Sequence, residues 1–338
     1  MKAAVFKGVG MPLVIEERPD PIPGPGEIIV QVGRVGVCGT DIHMTSGHGQ
    51  QAPADTVIGH EFAGTVVALG KGVSRVKLGD RVAPMPFFGC GRCAACLAGN
   101  PIRCAEVNLA AGGAFSQYAR GGQHDCVILP PELSDEDGAL IEPLAVGLRG
   151  VRRAGLEVGS RVLVMGAGAI GLSAAFWARR LGASRLAVMA NSARRAPMAK
   201  AMGADRFIAQ KDVADVAAAV NDALGGAPDV VIEAVGIKGA LAQAIDLVRM
   251  DGAVVSLGFL GEPDTIVPAL AMWKGIRIQF SNVYERKDFQ YAADVMAAGD
   301  LTPRRMITDT VSLDALPPKF EGLRGASPDV KVMVDPWA

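Results

Sequence analysis

From about residue 151 onward, short apolar runs alternate with alanine-rich stretches. The apolar runs predict six strands, at 161–166, 185–190, 206–210, 229–235, 253–258 and 276–281. The stretches between them predict helices near 170–181, 193–202, 213–223 and 239–249. Strands that alternate with helices form a parallel sheet covered on both faces. This part of the chain therefore predicts an α/β fold with a doubly wound, six-stranded parallel sheet.

The first 150 residues follow a different pattern, in which short β-branched runs are separated by glycine and proline. Candidate strands lie at 27–37, 61–70, 80–84 and 125–130. Such runs with glycine and proline turns predict an irregular antiparallel β domain. The tail from about residue 285 predicts a helix followed by short strands.

Composition and charge narrow the partners that the chain can have. Half of the residues are hydrophobic and the net charge is −1, so no basic field indicates nucleic acid or a membrane surface. The run 162–178 carries no charge, but it contains three glycines and is followed by two arginines, which favours a buried strand, turn and helix over a membrane span. The first 20 residues lack an apolar core like that of a signal peptide, so we expect a soluble, cytoplasmic protein.

A glycine loop lies where the first strand of this sheet ends. Gly166, Gly168 and Gly171 follow the strand and begin the next helix, with Ala169 and Ile170 between them. In this context the spacing is typical of a dinucleotide site, in which the first glycine permits a tight turn, the second leaves room for pyrophosphate and the third lets the helix approach the sheet. The helix N-terminus offers N–H groups to the phosphates. Further predicted cofactor contacts are Val235 and Gly258, where the fourth and fifth strands end.

The end of the second strand predicts which dinucleotide binds. NAD-binding proteins carry an acidic residue there that binds the ribose hydroxyl. This sequence has Ala190, followed by a group of polar and basic candidates, Asn191, Ser192, Arg194 and Arg195. Guanidinium groups form strong paired contacts with phosphate. We therefore expect NADP(H) rather than NAD(H).

Four of the six cysteines form a cluster, Cys90, Cys93, Cys96 and Cys104, with two, two and seven residues between them. In a reducing cytosol such a cluster favours metal over disulfides. Four thiolates complete a tetrahedral shell, which indicates a structural zinc without substrate access. An iron–sulfur site is the rival interpretation, but the last spacing differs from the ferredoxin pattern and no proline follows Cys104.

A second group of candidate ligands is spread over three motifs. "GVCGTDIH" contains Cys38, "GHEFAG" contains His60 and Glu61, and "LIEPLAVG" contains Glu142. One thiolate, one imidazole and one carboxylate leave a fourth zinc position open for water or substrate, as catalytic zinc requires.

Together these motifs resemble the zinc-dependent medium-chain dehydrogenase/reductase family of alcohol, sorbitol and threonine dehydrogenases. The resemblance covers nearly the whole chain, since "GHEFAGTV", the cysteine cluster, "EPLAVG" and the glycine loop occur in family order. It implies a GroES-like catalytic domain over 1–150, completed by about 286–338, and a Rossmann NADP-binding domain over 151–285. It also implies a homodimer or homotetramer, paired through the strand at 276–281.

The same resemblance implies roles for particular residues. Cys38 and His60 are the implied catalytic zinc ligands, with Glu142 as the third and Glu61 as an alternate. The four clustered cysteines are the implied structural zinc ligands. The implied reaction is reversible hydride transfer between NADP(H) and a secondary alcohol, polyol or ketone, with zinc as Lewis acid. Thr40 and His43 are candidates to carry the released proton to solvent, and Asp41 is a candidate to orient His60.

Other functions compete with this one. The nearest is an NAD-dependent sorbitol- or threonine-type dehydrogenase that tolerates Ala190. A zinc-free quinone or enoyl reductase and a non-catalytic structural protein are further alternatives, and the joint presence of Cys38, His60 and Glu142 argues against both. Loops at 43–56 and 283–289 are expected to line the substrate pocket.

Overall fold

The computed structural model describes residues 1–47, 49, 51–109 and 113–338. The predicted pocket loop 43–56 therefore lies partly outside the described residues, at positions 48 and 50. The chain divides into two compact units, one formed by Met1–Glu142 with Tyr284–Ala338 and the other by Pro143–Val283.

The strands are β1 (Lys2–Phe6), β2 (Val14–Glu17), β3 (Glu27–Gly36), β4 (Thr56–Val57), β5 (Glu61–Leu69), β6 (Arg81–Pro84), β7 (Tyr118–Gly122), β8 (Cys126–Ile128), β9 (Arg161–Met165), β10 (Arg185–Ala190), β11 (Arg206–Ala209), β12 (Val230–Glu233), β13 (Ala253–Ser256), β14 (Arg277–Phe280), β15 (Ile307–Ser312) and β16 (Lys331–Asp335). The α-helices are α1 (Gly39–His43), α2 (Ala94–Leu97), α3 (Asp135–Ala154), α4 (Ala169–Arg180), α5 (Ala196–Ala201), α6 (Val216–Leu224), α7 (Ala240–Leu247), α8 (Pro268–Lys274), α9 (Arg286–Ala297) and α10 (Leu316–Gly322). Short 3₁₀ helices cover Pro101–Arg103, Ala193–Arg195, Gln210–Asp212 and Thr302–Met306.

The first unit is built on a mostly antiparallel sheet in which β3 is central. Among the described residues this sheet has seven strands in the order β15-β16-β3-β5-β6-β8, with β7 also paired to β3, and a second sheet has the order β2-β1-β4. β16 pairs with β3 through Met333 and Val334, so the last strand of the chain joins the sheet formed by its first third. The core between these elements contains large aromatic side chains, Phe6, Phe62, Phe115 and Phe320.

The second unit contains a six-stranded parallel sheet in the order β11-β10-β9-β12-β13-β14, within the part of the chain that the structure describes. β9, β12 and β13 are buried along almost their whole length, as strands covered on both faces must be. The strand order reverses between β9 and β12, and in such sheets the ligand crevice lies beyond the carboxyl ends of the strands at that point. The predicted α/β fold class is confirmed.

The uncharged run 162–178 forms β9, a turn and most of α4, as expected. Its strand residues and Trp177 are fully buried, and the Trp177 indole donates a hydrogen bond to the Leu144 carbonyl at 2.8 Å. Among the described residues, no helix has the length and apolar content that a bilayer crossing needs.

The long helix α3 and the shorter α8 are two elements that the sequence analysis did not predict. α3 begins with three acidic residues, Asp135, Glu136 and Asp137, and ends near Arg152 and Arg153, which complements the helix dipole at both ends. The helix continues through Pro143. Proline and glycine disfavour a helix, and α3 contains Pro143 with Gly138, Gly147 and Gly150. The sequence analysis therefore did not predict this helix.

Candidate metal centres and dinucleotide loop

Pairing of β3 with β5 assembles the first metal centre. Cys38 follows β3 and caps α1, while His60 immediately precedes β5 and Glu61 begins it. In the antiparallel register Gly36 lies opposite Glu61, which brings the two strand ends together. One ligand atom each from Cys38, His60 and Glu61 lie within 4.8 Å of one another. The thiolate, imidazole and carboxylate expected of a catalytic zinc centre therefore converge in one place.

Asp41 fixes the orientation of the His60 ring. Its carboxylate is buried and lies 3.1 Å from His60 Nδ1. The same carboxylate accepts hydrogen bonds from the backbone N–H of Cys38 at 3.0 Å and of Gly59 at 3.3 Å. With Nδ1 engaged, Nε2 is the nitrogen that remains for a metal. The structure thus places Asp41 where the predicted orienting role requires it.

Glu61 is held by a lysine from the far end of the chain. Lys331 is 1% exposed, and its Nζ donates hydrogen bonds to Glu61 Oε2 at 2.5 Å and to the Val37 carbonyl at 2.9 Å. Glu61 Oε1 is buried with no hydrogen-bond partner among the described residues. An unpaired carboxylate oxygen beside a thiol and an imidazole is what a metal ion would satisfy, so the donor set fits zinc. Sequence reasoning missed Lys331, because 270 residues separate it from Glu61.

Glu142, the third ligand expected from the resemblance, lies on α3 beside this group but outside the set of three converging atoms. Its carboxyl is buried, and burial raises its pKa to about 7, while the nearby His60 lowers it and Glu61 raises it. The hydroxyl of Tyr284, another residue that the sequence analysis did not select, lies near the same carboxyl. Glu142 as a zinc ligand stays a prediction.

The two residues of the predicted proton path lie on α1, directly after Cys38. The backbone N–H of Thr40 donates to Cys38 Sγ at 3.4 Å, and its side chain is half-buried. The His43 side chain is exposed at the other end of this short helix. The pair therefore leads from the metal centre toward solvent, and its role in proton transfer stays a prediction.

The cysteine cluster forms the second metal centre. Sulfur atoms of Cys90, Cys93, Cys96 and Cys104 lie within 4.8 Å of one another, and none is in a disulfide. Backbone N–H groups of Arg92 and Cys93 lower the pKa of Cys90 to about 7, whereas burial raises that of Cys96 to about 12. A buried thiol of this kind loses its proton readily only when it binds a metal ion. The four sulfurs fit a closed structural zinc site.

A buried ion pair fixes the loop that carries these cysteines. Asp125 is 1% exposed, accepts a hydrogen bond from the Gly89 N–H at 3.1 Å and pairs with the Arg286 guanidinium at 2.6 Å. The Arg286 N–H in turn donates to the Gly99 carbonyl at 2.8 Å. Arg286, the first residue of α9, is therefore linked to the cysteine loop at Gly99 directly and at Gly89 through Asp125, and the sequence alone did not reveal this link.

The glycine loop has the geometry expected for a dinucleotide site. Gly166 has φ +103°, and a Cβ there would lie 2.8 Å from the Ala234 carbonyl oxygen. A Cβ on Gly171 would lie 2.0 Å from the Gly166 carbonyl oxygen, so α4 packs close to β9. A Cβ on Gly168 would meet only an Arg195 nitrogen at 3.9 Å, which leaves the open space that a pyrophosphate needs. Ala169 and Ile170 form the first turn of α4 behind it.

The end of β10 presents the residues predicted to bind the ribose. Ala190 ends the strand, and Asn191, Ser192 and Arg194 are exposed. Arg195 is half-buried and donates a hydrogen bond to the Ala167 carbonyl at 3.2 Å, which fixes it against the glycine loop.

Lys211 is a further cation at this place. It follows β11, which pairs with β10, and its N–H donates to the Asn191 carbonyl at 3.3 Å while its side chain is exposed. Only the strand order shows that Lys211 lies beside this loop, so the sequence analysis missed it.

Val235 and Gly258 lie beyond β12 and β13, next to the strand-order reversal. Glu233, at the end of β12, is buried and accepts hydrogen bonds from the N–H groups of Val235 at 2.7 Å and Gly236 at 2.8 Å, and from the Ser256 hydroxyl at 3.0 Å. A Cβ on Gly258 would lie 2.3 Å from the Gly236 nitrogen. Glu233, which the sequence analysis did not select, therefore fixes the loop that carries Val235. Cofactor contact by Val235 and Gly258 stays a prediction.

Comparison with known proteins agrees with this arrangement. Residues 24–131 match the family described as "Alcohol dehydrogenase GroES-like domain", and residues 169–298 match "Zinc-binding dehydrogenase". The chain is 34% identical to a sorbitol dehydrogenase of Bacillus subtilis over 99% of its own length and 97% of that protein's. The chain belongs to the zinc-containing medium-chain alcohol dehydrogenase family.

Solved structures of this family have the same fold. A protein of Sinorhizobium meliloti described as a zinc-binding dehydrogenase bound to NADP superposes with a TM-score of 0.89 and 33% identity, covering 99% of both chains. The 2R,3R-butanediol dehydrogenase of Bacillus subtilis superposes with a TM-score of 0.87 and 30% identity, again over 99% of both chains. The predicted GroES-like β domain and Rossmann sheet are confirmed.

Membership in this alcohol dehydrogenase family establishes the class of reaction. The chain is an NAD(P)-dependent zinc oxidoreductase that acts on CH–OH groups of small alcohols or polyols. The cysteine cluster is its structural zinc site, and Cys38, His60 and Glu61 form its catalytic site.

Proposed function

We propose that this enzyme interconverts a secondary alcohol or polyol and the corresponding ketone with NADP(H) as the hydride carrier. The observation that carries the cofactor choice is the end of β10, where Ala190 offers no carboxylate and Ser192 and Arg194 are exposed beside it. A carboxylate at this place would repel a 2′-phosphate, whereas a hydroxyl and guanidinium groups bind one.

Two further cations support a phosphate at this place. Arg195 is fixed against the glycine loop by its bond to Ala167, and Lys211 stands after the neighbouring strand. A backbone hydrogen bond joins Lys211 to Asn191, and Arg195 follows Ser192 by three residues. The similarity to the Sinorhizobium meliloti protein bound to NADP supports the same cofactor.

The substrate class is supported by the relatives and by the donor set of the first metal centre. The similar proteins named above are a sorbitol dehydrogenase and a butanediol dehydrogenase, which act on molecules with several hydroxyl groups. Zinc held by Cys38, His60 and Glu61 would supply Lewis acidity toward an alcohol oxygen. Asp41 orients the imidazole of that centre, and Lys331 fixes one oxygen of Glu61.

The released proton needs a path from the metal centre to solvent. We propose that the Thr40 hydroxyl accepts it first and that the exposed imidazole of His43 delivers it to solvent. The order of these residues along α1, half-buried and then exposed, supports this path.

The oligomeric state stays a prediction. We expect a homodimer or homotetramer paired through β14, the edge strand of the parallel sheet, because Phe280 on it and Met272 and Trp273 on the preceding α8 are largely exposed.

The cofactor proposal is tested by calorimetric titration with NADPH and NADH. Arg194→Ala should weaken NADPH binding about tenfold or more and leave NADH binding nearly unchanged, because a charge-assisted hydrogen bond contributes about 1.5–3 kcal/mol. Arg185→Ala is the matched control, since Arg185 is an exposed arginine at the opposite end of β10. Equal or tighter binding of NADH by the wild type would contradict the proposal and favour an NAD-dependent sorbitol- or threonine-type enzyme.

A further inference from the structure

Glu233, the last residue of β12, carries a buried carboxylate that has no cationic partner in the part of the chain that the structure describes. The residue is 3% exposed, and no lysine, arginine or histidine among the described residues forms an ion pair with it. Buried charges in proteins are normally paired, because an unpaired charge away from water is costly. The positive group that this carboxylate lacks is one that a ligand can supply.

Three neutral donors hold the carboxylate in place. Its Oε1 accepts hydrogen bonds from the N–H groups of Val235 at 2.7 Å and Gly236 at 2.8 Å, and its Oε2 accepts one from the Ser256 hydroxyl at 3.0 Å. An ionised carboxylate accepts hydrogen bonds and donates none, so this arrangement suits the charged form. The three donors fix the position of the charge, and none of them carries an opposite charge.

The carboxylate adjoins both loops that follow the central strands of the parallel sheet. A Cβ on Gly166 of the glycine loop would lie 2.8 Å from the carbonyl oxygen of Ala234, the residue after Glu233. A Cβ on Gly258, beyond β13, would lie 2.6 Å from Glu233 Oε2. Val235 is 39% exposed. In sheets of this kind a dinucleotide binds at this crevice, where the strand order reverses.

The two redox forms of a nicotinamide cofactor differ in the charge of the reacting ring. The dihydropyridine ring of NADPH is neutral, and loss of a hydride to a ketone carbon leaves the pyridinium ring of NADP⁺ with one positive charge. A fixed negative charge near this ring stabilises the oxidised form more than the reduced form. A buried carboxylate acts more strongly than an exposed one, because water screens it less.

We propose that Glu233 controls the redox balance of the bound cofactor, because its negative charge compensates the pyridinium of NADP⁺. This inference rests on the proposed function, since it takes NADP(H) as the dinucleotide of this sheet. Tighter binding of the oxidised form makes bound NADPH the stronger hydride donor and favours reduction of the ketone on the enzyme. A preference of about tenfold corresponds to about 30 mV for this two-electron couple.

The test measures binding of both redox forms without turnover. Dissociation constants of NADP⁺ and NADPH are determined by calorimetry for the zinc-loaded wild type and for Glu233→Gln, whose amide oxygen still accepts from the two N–H groups. The variant should bind NADP⁺ about tenfold more weakly and NADPH less than about threefold more weakly. Glu157→Gln is the matched control, because Glu157 is an exposed glutamate that precedes β9 at the opposite edge of the sheet. Both affinities should be unchanged in the control.

The outcomes separate this inference from the proposed function. A wild type that binds neither NADP⁺ nor NADPH contradicts the proposed function and, with it, this inference. A wild type that binds both, with equal weakening or no weakening of the two in Glu233→Gln, overturns the role of Glu233 alone, because a residue that only holds the loops acts on both forms alike.

If Glu233→Gln does not fold, the wild type is titrated with NADP⁺ and with the analogue in which a neutral benzamide ring replaces the pyridinium. At least about tenfold tighter binding of NADP⁺ supports the compensating charge, and equal binding of the two overturns it.

Discussion

Among single residues, two carboxylates of the catalytic centre, Asp41 and Glu61, are held in place by neighbouring groups. Asp41 uses one oxygen for the Cys38 N–H and the other for His60 and Gly59, so it fixes two ligands at once. One Glu61 oxygen accepts a hydrogen bond from Lys331, and the other has no partner in the part of the chain that the structure describes. Asp41 and Lys331 thus hold the ligand side chains in position, which strengthens metal binding.

Asp41→Asn should weaken zinc binding at this centre about 10- to 100-fold, because an amide orients the imidazole less strongly and makes it less basic. Competition with a chromophoric chelator measures the affinity, and zinc at the cysteine cluster should be unaffected. Asp55→Asn is a suitable control, since Asp55 is an exposed acid that pairs with Arg18 and Lys7. Unchanged affinity in Asp41→Asn would show that Asp41 only caps α1.

At the scale of elements, α3 shows how a helix is stabilised at its start by a partner distant in sequence. Asp137 is fully buried, bonds reciprocally with Ser134 and pairs with the Arg304 guanidinium at 2.6 Å. Burial raises the pKa of Asp137, but the hydrogen bonds and charge of Arg304 and Ser134 lower it by more than burial raises it. The pKa of Asp137 is therefore below its ordinary value. The predicted domain limit at 150 falls inside this helix and stays a prediction.

Asp137→Asn should lower the free energy of unfolding by about 2 kcal/mol at neutral pH, because Arg304 loses a charged partner. Since the pKa of Asp137 is lower in the folded state, its contribution is fully present above the ordinary pKa of about 4 and is lost as the pH falls through the folded value. Chemical denaturation from pH 7 to pH 3 should therefore show the gap between wild type and variant closing in acid.

Glu136→Gln is the matched control for this experiment. Glu136 lies in the same turn but is more exposed, and its carboxylate lies 3.4 Å from the Arg34 guanidinium. Glu136→Gln should therefore lower the free energy of unfolding by less than about 1 kcal/mol. A gap between wild type and Asp137→Asn that does not change with pH would contradict the proposed ionisation of Asp137.

For the molecule as a whole, the sequence predicts those motifs and elements whose residues lie close together along the chain. The glycine loop, the four cysteines and the alternation of strands and helices each lie within short segments, and each was recognised from such a segment. Lys331 reaches Glu61 only because β16 pairs with β3, and Lys211 reaches Asn191 only because β11 pairs with β10. Strand order and register are long-range properties, so these contacts could not be predicted from spacing.

The chain is a zinc alcohol or polyol dehydrogenase, and we propose that it uses NADP(H). The most direct test is kcat/KM of the zinc-loaded wild type for NADP⁺ and for NAD⁺, with butane-2,3-diol as the alcohol and reduction of the cofactor followed by absorbance. We expect a value at least about tenfold higher for NADP⁺, and loss of turnover in Cys38→Ser. An equal or higher value for NAD⁺ would contradict it.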